Sequence, residues 1–276
     1  MSREFAIVGD PVATSLSPDL FRVAFAAHGL EGWSYRRIQI PAGQLEARWG
    51  ALARRFSGIN VTAPHKLAAR RLSTEVTPRA ALCGSVNTVT FQDLGALGDS
   101  TDGPGFMAAL SEVRSPRSGR AVILGAGGAA RAVAAALLAA GWTVSLAARD
   151  RGKADTVCAE LGAGVSPLAL TEGDLAPHLR ESNLLVNATP VGADGVSSPL
   201  PRQVELSPGI AVVDLLYWPA ETPLLRLARS SGCPTASGLG LLVEQAALAF
   251  ESWSGLPAPR EQMRAAVVPV ALRSAR

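Results

Sequence analysis

Residues 121–131 read Ala-Val-Ile-Leu-Gly-Ala-Gly-Gly-Ala-Ala-Arg, which sets Gly125, Gly127 and Ala130 in a G-x-G-x-x-A spacing. Each position answers a physical need. Gly125 permits a tight turn off a strand. Gly127 lets the backbone close on a pyrophosphate. The small Ala130 lets the following helix pack against the strand. Free N–H groups at the helix start, helped by its dipole, then hold the phosphates. The motif stands between an apolar run and an alanine-rich helical stretch, the context in which it signals a dinucleotide rather than a bare turn. The chemistry expected of such a chain is oxidation and reduction.

Downstream, the sequence runs Ala148-Arg149-Asp150-Arg151-Gly152-Lys153. A free ribose would call for an acidic residue here, and a 2′-phosphate for cations. Arg149, Arg151 and Lys153 favour NADP, while Asp150 suits a ribose hydroxyl or the cap of the next helix. A solvated loop of mixed charge is the plain alternative.

A second group lies nearer the N-terminus. Asn60-Val61-Thr62-Ala63-Pro64-His65-Lys66 runs from an apolar stretch into a helical one. Pro64 suits a first helical turn. Lys66 would then sit where the helix dipole disfavours a cation. Its pKa would fall from about 10.4 toward the range of a general acid or base. From this feature alone, an exposed lysine without a role is the preferred reading. Asn87 stands at the start of an apolar run, and Asp102 stands just before a helical one. Asp102 can cap that helix or serve catalysis. Ser15 and Ser17 precede another helix, where they can cap it or hold a carboxylate.

The elements that must position these groups alternate along the chain. Residues 5–8, 35–40, 58–61 and 86–91 read as strands, 18–28 and 44–56 as helices, and 93–98 as a turn. A second series gives strands over 121–125, 143–147, 184–188 and 210–215, with helices over 129–140 and 222–231. Helices over 241–253 and 260–272 close the chain, with apolar faces to bury on the first series. The pattern is that of an α/β protein with mostly parallel strands in two domains.

Bulk composition narrows the class. At 276 residues, two domains are the better expectation. A net charge of +3 is too small and scattered to suggest nucleic acid. Cys83, Cys158 and Cys233 are isolated, as are the three histidines, so neither a metal site nor a disulfide framework is expected. No apolar run suggests a signal peptide or a membrane span. A reduced, cytoplasmic enzyme, monomeric or homodimeric, fits these features.

Taken together, eight stretches resemble the shikimate dehydrogenase family in the family's own order. They are Ser15-Leu16-Ser17-Pro18, residues 60–66 above, Gly84-Ser85-Val86-Asn87-Thr88, Thr101-Asp102-Gly103, Gly125-Ala126-Gly127-Gly128-Ala129, Asn187-Ala188-Thr189, Asp214-Leu215-Leu216-Tyr217 and residues 238–245. The resemblance implies a substrate domain over 1–103 and 239–276 and a Rossmann-type NADP domain over 104–238, with the active site in the cleft. It implies that Lys66 and Asp102 form the catalytic pair. Ser15 and Ser17 would bind the substrate carboxylate. Thr62, Asn87, Asp102 and Gln245 would bind ring hydroxyls, with Tyr217 lining the site. Cofactor contacts would fall on Gly125, Ala126, Gly127, Gly128 and Ala129, on Ala148, Arg149, Asp150, Arg151 and Lys153, and on Leu215 and Gly238.

The implied reaction is the reversible NADPH-dependent reduction of 3-dehydroshikimate to shikimate, in aromatic amino acid biosynthesis. Two stretches depart from the family. Ala148-Arg149-Asp150 replaces the frequent Asn-Arg-Thr, which leaves NAD as an alternative cofactor, and Leu16 stands where some members have lysine. The rival readings are a quinate or aminoshikimate dehydrogenase, a dehydrogenase of the methylene-tetrahydrofolate type, and a non-catalytic NADP-binding sensor. The serine pair and the Asp102 motif speak against the second. The presence of both Lys66 and Asp102 speaks against the third.

Overall fold

The computed structural model describes residues 2–113 and 116–273; Met1, 114–115 and 274–276, which the expected domain limits include, lie outside the described residues. The chain forms two compact units, one of Met1–Asp102 with Val243–Pro269, the other built on Gly103–Leu242.

The first unit runs β1 (Arg3–Gly9), α1 (Ser17–Ala27), β2 (Trp33–Gln39), α2 (Leu45–Arg55), β3 (Gly58–Val61), α3 (Lys66–Leu72), β4 (Glu75–Val76), α4 (Pro78–Cys83), β5 (Thr88–Gln92) and β6 (Gly95–Asp99). Its sheet has the order β2-β1-β3-β5-β6-β4. β1 pairs parallel with β2 and β3, and β4 with β6, whereas β3–β5 and β5–β6 are antiparallel. Three of the five pairings are parallel and β5 alone runs against its neighbours, as the expectation of mostly parallel strands requires. The turn expected over 93–98 is corrected. Gln92 pairs with Gly95, leaving only Asp93 and Leu94 in a hairpin loop. Gly-Ala-Leu-Gly-Asp has little strand preference. Close packing requires its glycines: a Cβ on Gly98 would lie 2.5 Å from the Ser73 hydroxyl.

Alternation along β1 feeds two faces. Ala6 and Val8 join Ile59, Val61, Leu45, Leu52 and Phe56 in one apolar cluster. Phe5 turns the other way, tilted against Phe25 and stacked on Trp253 with ring centroids 4.6 Å apart. Each such fully buried ring stabilises the unit by roughly 2–3 kcal/mol. Gly58 makes room for Trp253, since a Cβ there would lie 2.6 Å from the indole nitrogen.

The second unit is entered by α5 (Asp102–Ser111). It continues through β7 (Arg120–Leu124), α6 (Gly128–Ala139), β8 (Thr143–Ala148), α7 (Arg151–Leu161), β9 (Val165–Ala169), α8 (Glu172–Arg180), β10 (Leu184–Asn187), β11 (Ala211–Asp214), α9 (Pro223–Ser230) and β12 (Thr235–Ser237). α10 (Leu239–Ser254) and α11 (Arg260–Arg273) complete the chain. The sheet order is β12-β11-β10-β7-β8-β9, and every pairing is parallel. Counted from β7, this is the doubly wound 3-2-1-4-5-6 order, whose direction reverses between β7 and β10. Ligands of such sheets bind at the carboxyl ends of the strands beside that reversal. Ala121 and Ile123 face Val133 and Leu137 of α6, while Val122 and Leu124 face Leu175, Leu179 and Leu224. Both faces are thus covered by helices. No helix among the described residues is long and apolar enough to cross a membrane.

Candidate active site

The first unit brings three of the expected residues into one hydrogen-bonded group. Lys66 is the first residue of α3, and Pro64 lies before the helix rather than in its first turn. Asp102 opens α5, and Asn87 immediately precedes β5. Lys66 Nζ lies 2.5 Å from Asp102 Oδ2, with side chains 14% and 7% exposed. An ion pair buried this far holds only if its remaining polar atoms are satisfied. Asn87 Nδ2 meets that need, donating to Asp102 Oδ1 at 2.7 Å. Asp102 therefore engages Lys66 with one oxygen and Asn87 with the other.

The amide of Asn87 has a fixed sense. The Thr101 backbone N–H donates to Asn87 Oδ1 at 2.8 Å, so the NH2 end must face Asp102. The network runs on through buried Thr88 and Asn60 to half-buried Tyr35. Thr88 Oγ1 donates to Asn87 Oδ1 at 3.1 Å, Asn60 Nδ2 to Thr88 Oγ1 at 3.0 Å, and Tyr35 OH to Asn60 Oδ1 at 2.7 Å. Sequence reasoning assigned no role to Tyr35, Asn60, Thr88 or Thr101. The signal was present in Asn60, a polar side chain inside a strand whose every residue is buried.

The remaining substrate candidates are placed as follows. Ser17 begins α1 and is buried; its hydroxyl lies 3.2 Å from that of Ser15, and its N–H donates to Ser15 Oγ at 3.3 Å. Thr62 follows β3, half-buried, its carbonyl accepting from His65 N–H at 3.0 Å. Gln245 lies half-buried on α10 in the first unit. Tyr217 belongs to the second unit, in the segment between β11 and α9.

In the second unit the glycine loop joins β7 to α6 beside the reversal point. Gly125 has φ +112°, which a side chain rarely adopts, and its N–H donates to Ala147 O at 2.7 Å. Gly127 differs. It is extended, and a Cβ there would meet nothing within 4 Å, so the backbone lies open on that side. No side chain caps α6. Its first N–H groups, on Gly128, Ala129 and Ala130, are thus available to an anion. Ala126 sits between the two glycines. Ala130 is fully buried.

The charged loop after β8 resolves into separate tasks. Ala148 is buried at the strand end. Asp150 Oδ1 accepts the Lys153 N–H at 3.2 Å and so caps α7, with Lys153 Nζ 3.5 Å from its other oxygen. Arg151 pairs with Asp155 at 3.1 Å. Arg149 is exposed and makes no side-chain hydrogen bond or ion pair among the described residues. An open glycine, an uncapped helix start and an uncommitted guanidinium fit a phosphorylated dinucleotide. Leu215 and Gly238 adjoin, since a Cβ on Gly238 would lie 2.0 Å from Leu215 O.

One buried network here carried no expectation beyond its motif. Asp214, fully buried, accepts from Thr222 Oγ1 at 2.7 Å, Asn187 Nδ2 at 3.0 Å and Leu216 N–H at 3.1 Å. Burial pushes its carboxyl up from the ordinary 3.8 against the pull of those bonds. The three bonds tie the loops after β10 and β11 to the start of α9.

Comparison with known proteins gives the same answer from both ends of the chain. Residues 7–89 match the family model of the shikimate dehydrogenase substrate binding domain, and residues 238–268 that of the shikimate 5′-dehydrogenase C-terminal domain. The shikimate dehydrogenase (NADP(+)) of Methanopyrus kandleri is 40% identical over 272 residues, 95% of this chain and 93% of its own length. That of Thermus thermophilus is 43% identical over 253 residues, covering 91% and 92%. A crystal structure of shikimate 5-dehydrogenase from Thermus thermophilus, in complex with NADP(H) and shikimate, superposes with a TM-score of 0.87 at 40% identity, covering 99% of this chain and 100% of that one. With a lysine–aspartate pair in one unit and a doubly wound dinucleotide fold in the other, this chain belongs to the shikimate dehydrogenase family.

Proposed function

We propose that this chain catalyses the reversible NADPH-dependent reduction of 3-dehydroshikimate to shikimate, a step of aromatic amino acid biosynthesis. The observation that carries the reading is the buried Lys66–Asp102 pair at 2.5 Å, with its second carboxylate oxygen held by Asn87. The first unit, with α10 and α11, is the substrate domain, and the second is the cofactor domain.

NADPH, when bound, supplies the hydride that reduces the ring ketone. Lys66 supplies the proton. Its ammonium, held by Asp102, gives a proton to the carbonyl oxygen as negative charge develops there, and in the reverse direction its amine takes the hydroxyl proton. Asp102 anchors Lys66 and accepts from a neighbouring ring hydroxyl. Asn87, locked by Thr101, offers its amide to the same region. Thr62 and Gln245 bind ring hydroxyls, and Ser15 and Ser17 the carboxylate. The N–H groups of the 125–129 loop would hold the pyrophosphate. Ala148, Arg149, Arg151 and Lys153 would receive the 2′-phosphate, with Arg149 as its main charge partner, while Asp150 caps the start of α7. Leu215 and Gly238 would contribute further cofactor contacts.

The quinate reading is not favoured, because the relatives above carry the name shikimate dehydrogenase (NADP(+)). The three cysteines are free and buried, which suits a reducing cytoplasm. The test is the absorbance of nicotinamide reduction, with shikimate and quinate each offered NADP+ and NAD+. The expected result is the highest kcat/KM for shikimate with NADP+. Absence of reduction with either acid would overturn the proposal in favour of an NADP-binding sensor.

A further inference from the structure

β2 presents Tyr35 and Arg37 on one face, two residues apart. That face reaches the turn that opens α1. The Tyr35 ring stacks on Phe21 of α1, centroids 4.2 Å apart and planes 6° from parallel. Its hydroxyl donates to Asn60 Oδ1 at 2.7 Å. Arg37 grips the same turn from the solvent side. Its Nε and Nη2 both donate to the Ser15 carbonyl oxygen, at 3.0 and 2.6 Å. Asp19, on the first turn of α1, lies 3.9 Å from the same guanidinium.

Two donors from one planar guanidinium fix the direction of the Ser15 carbonyl, and through it the backbone that carries both hydroxyls. A cation behind a pair of hydroxyl donors is the arrangement that an anionic group requires.

We infer that Arg37 is a positioning residue for the substrate carboxylate. It holds the Ser15–Ser17 turn in the geometry that presents both hydroxyls to the anion, and its charge adds to their attraction. The inference rests on the role proposed above for the serine pair. Arg37 lies outside the Lys66–Asp102–Asn87 group, so it acts on affinity rather than on the proton transfer.

The experiment compares wild type, Arg37→Gln, Arg37→Lys and a Ser15→Ala/Ser17→Ala double variant. Shikimate and its neutral methyl ester serve as substrates, at low and high salt. Arg37→Gln is expected to raise KM for shikimate about fivefold and to flatten its salt dependence, as loss of a charge-assisted anchor at a partly exposed site does. KM for the ester and for NADP+, and kcat, should stay at wild-type values. Arg37→Lys, which keeps the charge and loses the fork, should fall between the two and keep the salt dependence. An unchanged KM for shikimate in Arg37→Gln, or an equal rise for the ester, overturns the inference, the second because it would mean general loosening of the turn. The serine double variant separates the two levels. If it leaves KM for shikimate unchanged, the carboxylate role of the serines is wrong and the inference goes with it. If it raises KM while Arg37→Gln does not, the role of Arg37 alone is wrong.

Discussion

Asn87 donates its amide N–H to one oxygen of Asp102 at 2.7 Å while the other oxygen of that carboxylate holds Lys66. The bond completes the ion pair. Two charges drawn this far out of water attract strongly, but a carboxylate oxygen left without a donor would offset much of the gain. Asn87 is itself held by the Thr101 N–H, so the orientation of the carboxylate traces back to the backbone that leads into α5.

Asn87→Ala removes that donor and also strands the Thr101 N–H. The expected cost is about 1–3 kcal/mol of stability, the usual penalty for unpaired buried polar groups. A fall in kcat/KM for shikimate should accompany it. Urea unfolding and steady-state rates check the two effects separately. Unchanged values in both would remove Asn87 from the account.

The two glycines of the loop should respond oppositely to alanine. Gly127→Ala meets open space, so the melting temperature should hold while KM for NADP+ rises more than about tenfold, because the methyl occupies the phosphate approach. Gly125→Ala forces a side chain onto φ +112°, with Ala188 O 3.2 Å from its Cβ, and should lower the melting temperature itself. Calorimetry alongside KM separates conformational need from ligand access.

Much of this was legible in the sequence, for reasons that particular residues make plain. The glycine loop works through local backbone, so its spacing alone located it between β7 and α6. The central strands β10 and β11 of the second unit are buried throughout and read as apolar runs, whereas β9 and β12, at the sheet edges and less buried, were not legible as strands. β6 was not legible, because its glycines serve contacts with Ser73 and Thr74 from a distant segment. Lys66 and Asp102 are far apart in the chain, and only the fold makes them neighbours. The Thr88–Tyr35 extension was hidden for the same reason, since each is an ordinary strand residue until its partner is known, and only Asn60 stood out as a polar side chain in an apolar strand.

Arg149→Gln should raise KM for NADP+ on the order of tenfold or more, the worth of a charge-assisted hydrogen bond, and leave KM for NAD+ nearly unchanged. Equal effects on both cofactors would move the 2′-phosphate contact elsewhere in the loop.

The first unit should lose stability in acid through Asp99. Burial works to raise its carboxyl, but bonds from Arg79, Thr77 and the Ser100 N–H outweigh burial and set it below the ordinary 3.8. A folded-state value below the unfolded one stabilises the protein above the unfolded pKa. That contribution disappears as pH falls through the folded value. Stability should therefore decline below about pH 4. Arg79→Ala should flatten the decline, as read by denaturant unfolding across pH. Asp214 carries the opposite sign. Its raised carboxyl makes stability fall as pH rises from the unfolded value through the folded one, and Asp214→Asn should abolish that slope.

The most direct test of the account is Lys66→Ala in the nicotinamide assay with shikimate and NADP+. Removal of the group that carries the proton should cut kcat by roughly 10²- to 10⁴-fold, while KM for shikimate and for NADP+ stays nearly unchanged. A variant that turns over at the wild-type rate would show that Lys66 does not move the proton, and the proposed mechanism would be wrong.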